Sequence, residues 1–189
     1  MSIGVWIALA AGVVLVLFVL LTYNRMVARR NTVDSSWSQI DVQLRKRHDL
    51  IPPLVEAVKG YAAHERGTFE RVSEARSSAA GAEGVAPRLA AEGELGRATG
   101  GLLAVAESYP ELEASANFSR LQDDLRSVED QIVITRRVYN DTVESYNTLI
   151  QVFPQLIVAR LFAFEARQFF DAPVEAEATP SVDLSAGRA

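Results

Sequence analysis

The stretch FSRLQDDLRSVEDQIVITRRVYNDTVESYNTLIQVF, residues 118–153, decides the fold of this 189-residue chain. Side chains recur in it at alternating steps of three and four residues, and all of them except two threonines are apolar or aromatic: Phe118, Leu121, Leu125, Val128, Ile132, Thr135, Tyr139, Thr142, Tyr146, Leu149 and Phe153. This pattern predicts one amphipathic helix of roughly 54 Å. One face of that helix should pack along a partner helix in a coiled-coil-like seam.

An earlier apolar stripe can supply the partner helix within the same chain. With Arg47 in one gap, its members are Trp37, Ile40, Leu44, Ile51, Leu54, Val58 and Tyr61. Asp34 or a neighbouring serine is expected to cap its start. Pro52 and Pro53 should kink it, because each proline removes a backbone donor. The stripe is expected to extend through Phe69 and Val72 towards Arg76, and an antiparallel hairpin with residues 118–153 is the simplest arrangement.

Weaker signals divide the remaining chain. The Ala/Gly/Ser-rich stretch 77–84 predicts a connection. A helix is expected over 88–108, where Leu89, Glu92, Leu95, Leu102 and Leu103 lie among several glycines. Beyond Pro154, residues 156–170 predict a short helix that caps the bundle. The acidic tail 171–189 lacks periodicity and should be disordered.

The N-terminal region predicts a membrane anchor, because residues 3–21 contain no charged side chain. Nineteen helical residues nearly cross a hydrocarbon core of about 30 Å. A cleaved signal peptide would show basic residues before the run and a small-x-small site after it, and neither is present. Within the span, Gly4, Ala8 and Gly12 form a small-xxx-small line that would let two helices approach closely.

The predicted fold class is therefore all-α, with a transmembrane helix and a short tail in residues 1–24. An antiparallel bundle of three or four long, coiled-coil-like helices should occupy residues 25–170. Arg25, Arg29 and Arg30 follow the span directly, whereas the two-residue tail carries no side-chain charge. The positive-inside bias then predicts a single-pass membrane protein with its N-terminus outside and its bundle in the cytoplasm.

The composition excludes several classes of function. With no cysteine and two histidines, the chain lacks thiolate metal sites, a cysteine nucleophile and a multi-histidine metal centre. His64-Glu65 begins like a zinc-protease helix, but Thr68 stands where the second histidine is required. The net charge of −5 argues against nucleic-acid binding. We therefore expect no catalytic residue, no cofactor and no metal.

Two features invite an interaction hypothesis. Tyr139-Asn140 and Tyr146-Asn147 repeat at seven residues and so lie on one side of the rod. They are either core tyrosines with asparagines at the bundle edge, or a polar ladder of Asn140 and Asn147 that fixes register or binds a partner helix. Near the C-terminus, four phenylalanines could form a surface for a partner protein or for the bilayer: Phe162, Phe164, Phe169 and Phe170.

Several strings closely resemble the LemA family. They are RNTVDSSWSQIDVQLRKRHDLIPPLVEAVKGYAAHE at 30–65, YPELEA at 109–114, NFSRLQ at 117–122, the two Tyr-Asn pairs and Phe153-Pro154. Pro53 departs from the family, which more often carries asparagine there. The resemblance implies one N-terminal span in the bacterial inner membrane, a bundle of long helices, a cytoplasmic body and no established enzymatic activity. It also implies a link to building or shaping bacterial membranes, including magnetosome membranes, and it supplies no catalytic residues.

These observations predict a membrane-anchored, non-enzymatic scaffold whose partners are the lipid bilayer and further copies of itself or other membrane proteins. The alternative is an adaptor or regulator of a membrane enzyme such as a protease, suggested by the C-terminal phenylalanines and the acidic tail. An unrecognised hydrolase is the weakest hypothesis.

The orientation is directly testable because the chain has no cysteine. An impermeant thiol reagent added to intact cells should label a Ser2→Cys variant and leave a Ser181→Cys variant unlabelled until the cells are lysed. The reverse pattern would place the bundle outside the cytoplasm.

Overall fold

The computed structural model describes residues 2–62 and 64–170. Across these ranges the chain is helical and no β-strand occurs, as the all-α prediction requires. The helices are α1 (Ile3–Lys59), α2 (Arg66–Gly81), α3 (Val85–Ala106), α4 (Pro110–Glu113), α5 (Ala116–Gln151) and α6 (Gln155–Leu161). The tail 171–189, for which disorder was expected, lies outside the described residues.

Helix α1 is a single rod of 57 residues, which corresponds to about 85 Å. It carries the uncharged N-terminal run directly into the apolar stripe. An 18-residue window near its start has a mean hydropathy of 2.9 and is not buried by any other part of the structure, so it is a candidate membrane span. The predicted helix start near Asp34 is wrong, because the backbone is already helical for thirty residues before it.

The two prolines stay inside α1. Although Pro52 and Pro53 cannot donate backbone hydrogen bonds, the residues on either side of them, Ile51 and Leu54, are almost completely buried. Their burial against other helices stabilises the helical conformation through this point. The helix ends at Lys59, so the predicted extension through Phe69 is wrong, and Phe69 belongs to α2 instead.

Helices α1 and α5 pack antiparallel over most of their shared length. Ser36 Oγ lies 2.8 Å from Thr142 Oγ1, and Arg47 Nε lies 2.9 Å from Glu129 Oε1, so the numbering rises along one helix as it falls along the other. Most of the predicted seam is buried: Ile40, Leu44, Phe118, Leu125, Ile132, Tyr139 and Tyr146. Trp37 and Leu121 are half-buried at its edge. The partner helix of α5 is therefore α1 of the same chain.

The last predicted seam residue is misplaced. Helix α5 ends at Gln151, and Val152 has an extended backbone with φ −78° and ψ 145°. The chain therefore leaves the helix axis before Phe153, whose side chain is 79% exposed. The seam prediction is wrong at Phe153, because the apolar spacing continues for one more position after the helix has ended at Gln151.

A shorter antiparallel pair, α2 and α3, covers the half of the bundle away from the candidate span. Most of the predicted connection 77–84 is helical, since α2 runs to Gly81, and Gly84 makes the turn with a positive φ of 85°. Helix α3 begins at Val85 rather than 88 and ends at Ala106 rather than 108. Their buried side chains join those of α4 and of the distal ends of α1 and α5 in one core cluster.

The half of the bundle nearer the candidate span has a second core cluster. Here α1 and α5 are covered by α6 and by the chain that follows it. The prediction of a helix over 156–170 is wrong beyond Leu161, where α6 ends. Ala163 takes a left-handed backbone conformation (φ 53°), and residues 164–170 form neither helix nor strand.

Candidate functional site

Residues 165–170 form an extended segment, here called the strap, which lies along α1 and α5. It begins near Tyr146 and ends near Trp37, so it runs antiparallel to α5 and parallel to α1. A helix has no free backbone donors or acceptors on its side. An extended segment next to it therefore needs side chains to satisfy its peptide groups.

Two asparagines of α5 meet this need by pairing with strap peptide groups. Asn147 Oδ1 accepts a hydrogen bond from the Arg167 backbone N–H at 2.8 Å, and Asn147 Nδ2 donates to the Arg167 carbonyl at 2.9 Å. Asn140 repeats the arrangement with Phe170, accepting from its N–H at 2.9 Å and donating to its carbonyl at 3.4 Å. Only a carboxamide offers an acceptor and donors in this geometry.

The two tyrosines add a second row of hydrogen bonds to strap carbonyls. The hydroxyl of Tyr146 donates to the carbonyl of Glu165 at 3.0 Å, and that of Tyr139 donates to the carbonyl of Gln168 at 2.8 Å. Burial raises the pKa of both tyrosines above the usual value, although the nearby Arg167 guanidinium opposes the shift. Both hydroxyls therefore keep their protons, and remain donors, throughout the physiological pH range.

The seven-residue repeat of Tyr-Asn matches the strap geometrically. Seven helical residues rise about 10.5 Å, and three extended residues span about 10 Å. The asparagine partners, Arg167 and Phe170, are three residues apart, as are the tyrosine partners, Glu165 and Gln168. The tyrosines are buried in the core, as the first alternative held, and the two asparagines bind an extended segment of the same chain rather than a partner helix.

Side chains of the strap also fasten it to α1. Arg167 pairs with Asp34 at 2.9 Å, and Phe170 is buried with its ring 5.5 Å from that of Trp37. Phe164, just before the strap, lies against Tyr23 with ring centroids 5.6 Å apart. Of the four phenylalanines suggested as a partner surface, Phe170 is therefore internal and Phe164 is partly covered, because the chain folds back here instead of forming an exposed helix.

A buried ionic cluster, composed of Arg47, His48 and Glu92, joins α1 to α3. Glu92 Oε1 lies 2.8 Å from His48 Nε2, and its Oε2 lies 3.3 Å from an Arg47 terminal nitrogen. Glu129 of α5 lies 2.9 Å from Arg47 Nε but away from the N–H direction, so this contact is an ion pair rather than a hydrogen bond. Arg76 of α2 donates to the His48 carbonyl at 2.7 Å. Through these contacts the cluster connects α1, α2, α3 and α5.

The sequence contained an overlooked signal for this cluster. Arg47 occupies a gap in the apolar stripe of α1, and Glu92 occupies an apolar position of α3, so two opposite charges face the same core. Gly96 makes room for them, because a Cβ there would stand 3.1 Å from a terminal nitrogen of Arg47. The presence of glycine at position 96 of α3 is therefore explained by its packing against Arg47.

Within the described ranges, no three His, Asp or Glu side chains are grouped closely enough to hold a metal ion. The buried charges of the cluster are paired with one another, and the polar groups of the ladder are used by the strap. The chemistry of both sites is accordingly that of holding chain segments in place.

The fold and these contacts define a class: an all-helical protein whose first helix is a candidate membrane span and whose bundle is fastened by an extended strap. The LemA family model matches residues 36–184, and the chain belongs to the LemA family. Magnetosome proteins MamQ 1 and MamQ 2 of Paramagnetospirillum magneticum are each 24% identical to it over 190 residues, covering 87% of this chain and 70% of each relative. Protein LemA of Metamycoplasma hominis is 24% identical over 132 residues, covering 69% of this chain and 60% of the relative.

Removing the ladder should release the strap. Asn147→Ala deletes both hydrogen bonds to Arg167, which costs about 1 kcal/mol and corresponds to roughly fivefold faster exchange of the Arg167 amide hydrogen. Hydrogen exchange of the full chain in detergent measures this rate. Asn117→Ala is the control, because this exposed asparagine of α5 contacts only Arg120 within its own turn. Equal exchange in both variants would show that the ladder does not hold the strap.

Breaking the ionic cluster should destabilise the bundle. Glu92→Ala leaves Arg47 and His48 without their shared carboxylate in the core, and losing one partner of a buried ion pair costs about 3 kcal/mol. Chemical denaturation followed by circular dichroism measures the loss. Glu94→Ala removes an exposed carboxylate two residues away and should change stability by about 0.5 kcal/mol or less. Similar midpoints for the two variants would contradict the assignment.

Proposed function

We propose that this protein is a membrane-anchored, non-enzymatic scaffold that self-associates or organises membrane partners, with a role in membrane shaping. The observation that carries the proposal is the continuity of α1. Because one helix contains both the candidate span and half of the bundle seam, the bundle is a rigid extension of the anchor. About 55 Å of α1 extends beyond residue 21. This length would allow the helix to hold partners at a fixed distance from the bilayer.

The family relationship supports a role at a membrane. Two relatives carry the name of magnetosome proteins, and neither they nor the family carry the name of an enzyme. We also propose a single pass through the bacterial inner membrane with the bundle in the cytoplasm, supported by Arg25, Arg29 and Arg30 immediately after the uncharged run.

The face proposed for self-association is the small-residue line of the span. Gly4, Ala8 and Gly12 are exposed, and apart from the adjoining residues and the backbone of its own helical turns no atom of the described chain lies within 4 Å of the position of a Gly12 Cβ. A second span could therefore pack closely against this line. The adaptor alternative has less support, because Phe170 is buried and Phe164 is half-buried, so only part of the proposed aromatic surface is exposed.

Self-association is tested by light scattering of the full chain in detergent after size exclusion. The wild type should have a protein mass at least twice that of one chain. Ala8→Ile should lower the mass towards a monomer, because the added side chain separates the two helix backbones. Ala10→Ile makes the same change on the opposite side of the helix and should leave the mass unchanged.

The outcomes separate the parts of the proposal. A monomeric wild type would contradict the self-associating scaffold. An oligomer that neither substitution weakens would retain the scaffold and reject the small-residue line as its interface.

A further inference from the structure

An apolar face is left uncovered at the end of the bundle nearest the candidate span. It is formed by Ile157 and Leu161, which lie four residues apart on α6, and by Phe153 in the turn just before α6. These three residues are 59%, 70% and 79% exposed, respectively. The opposite side of α6 is buried, because Val158 and Ala159 pack into the core. This short helix therefore has one face in the protein and one large apolar face outside it. We call the exposed set the basal face.

The basal face is next to the membrane span rather than beyond it. Phe18 and Val19, which belong to the uncharged run, pack against the core cluster that contains Val158 and Ala159. Tyr23, two residues after that run, lies against Phe162 with ring centroids 4.9 Å apart. Helix α6 is thus level with the last turn of the candidate span, at the depth where bilayers meet water.

The charges around this end suit a lipid surface. Arg160 is exposed on α6 beside the basal face, and Arg25 and Arg29 are exposed on α1, two and six residues beyond Tyr23. Guanidinium groups at this level can reach anionic headgroups, while the apolar side chains enter the acyl region. Exposed apolar area costs free energy in water, at about 25 cal/mol per Å².

We propose that α6 is a second membrane-contacting element, whose basal face inserts into the lipid beside the span. This inference rests on the membrane attachment proposed above. A bundle attached to the bilayer by one helix alone can tilt and rotate relative to the membrane. A second contact beside that helix would fix both the tilt and the rotation. The basal face would therefore set the angle of the bundle to the membrane.

The test uses nitroxide spin labels on the full chain in vesicles of phosphatidylethanolamine and phosphatidylglycerol. Single-cysteine variants Ile157→Cys and Leu161→Cys are labelled, and collisions with oxygen are compared with collisions with a water-soluble nickel chelate. The matched control is Ile134→Cys, because Ile134 has a similar exposure of 53% on α5, distant from the span. Leu15→Cys reports on the span itself.

The labels at 157 and 161 should show an oxygen-to-nickel ratio several-fold above that at 134 and below that at 15, because α6 lies level with the end of the span. Water-like ratios at 157 and 161 with a lipid-like ratio at 15 would overturn the inference alone. A water-like ratio at 15 would overturn the anchor as well. Protection from both reagents at 157, with spin–spin broadening that disappears on dilution with unlabelled chain, would assign the face to a second copy instead.

Discussion

The antiparallel seam between α1 and α5 is the constraint on which the other parts of the structure depend. Fully burying a leucine or isoleucine contributes about 2 kcal/mol, so residues such as Ile40 and Leu44 outweigh exposed ion pairs like Arg126 with Asp123, which contribute about 1 kcal/mol or less. The two long helices form a spine. The α2–α3 pair completes the distal half of the bundle, and α6 with the strap completes the half near the candidate span.

Each half is fastened by polar groups of a different kind. In the distal half, the buried side chains of Arg47, His48 and Glu92 connect the helices, and Arg47 and Glu92 need each other because a lone buried charge is costly. In the other half, the strap contacts both members of the spine, through the ladder on α5 and through Asp34 and Trp37 on α1. The strap therefore stabilises the seam as well as its own position.

Periodicity predicted the long elements well and the irregular ones poorly. The periodic run 118–153 lies within two residues of α5 at either end, because apolar side chains at helical spacing record burial directly. Ser108–Glu111 also resembles a helix start, but the separate short helix α4 begins there. Periodicity could not predict that α1 continues from the uncharged N-terminal run into the apolar stripe, because a uniformly apolar run has no polar face from which a helical repeat can be recognised. The break after Lys59 was missed because Phe69 happens to keep the phase of the stripe.

The candidate site shows the same limit. The Tyr-Asn repeat could be recognised in the sequence, but its partner could not, because the partner is an extended segment without periodicity. The structure shows that Asn140 binds Phe170 and that Asn147 binds Arg167. Apolar periodicity did not predict the charged pair of Arg47 and Glu92, because it takes no account of charged residues at buried positions. Phe153 illustrates the opposite error, since the repeat continues past the turn that ends the helix.

The most direct test of this account asks whether the seam lies within one chain. Ser36 and Thr142 side-chain oxygens are 2.8 Å apart, so a Ser36→Cys, Thr142→Cys variant of this cysteine-free chain should form a disulfide within a single molecule on oxidation. A Ser36→Cys, Thr135→Cys control, displaced by about two turns, should not. Crosslinking of the Ser36–Thr142 variant only between molecules would show that the rods pair between chains, and would contradict the account.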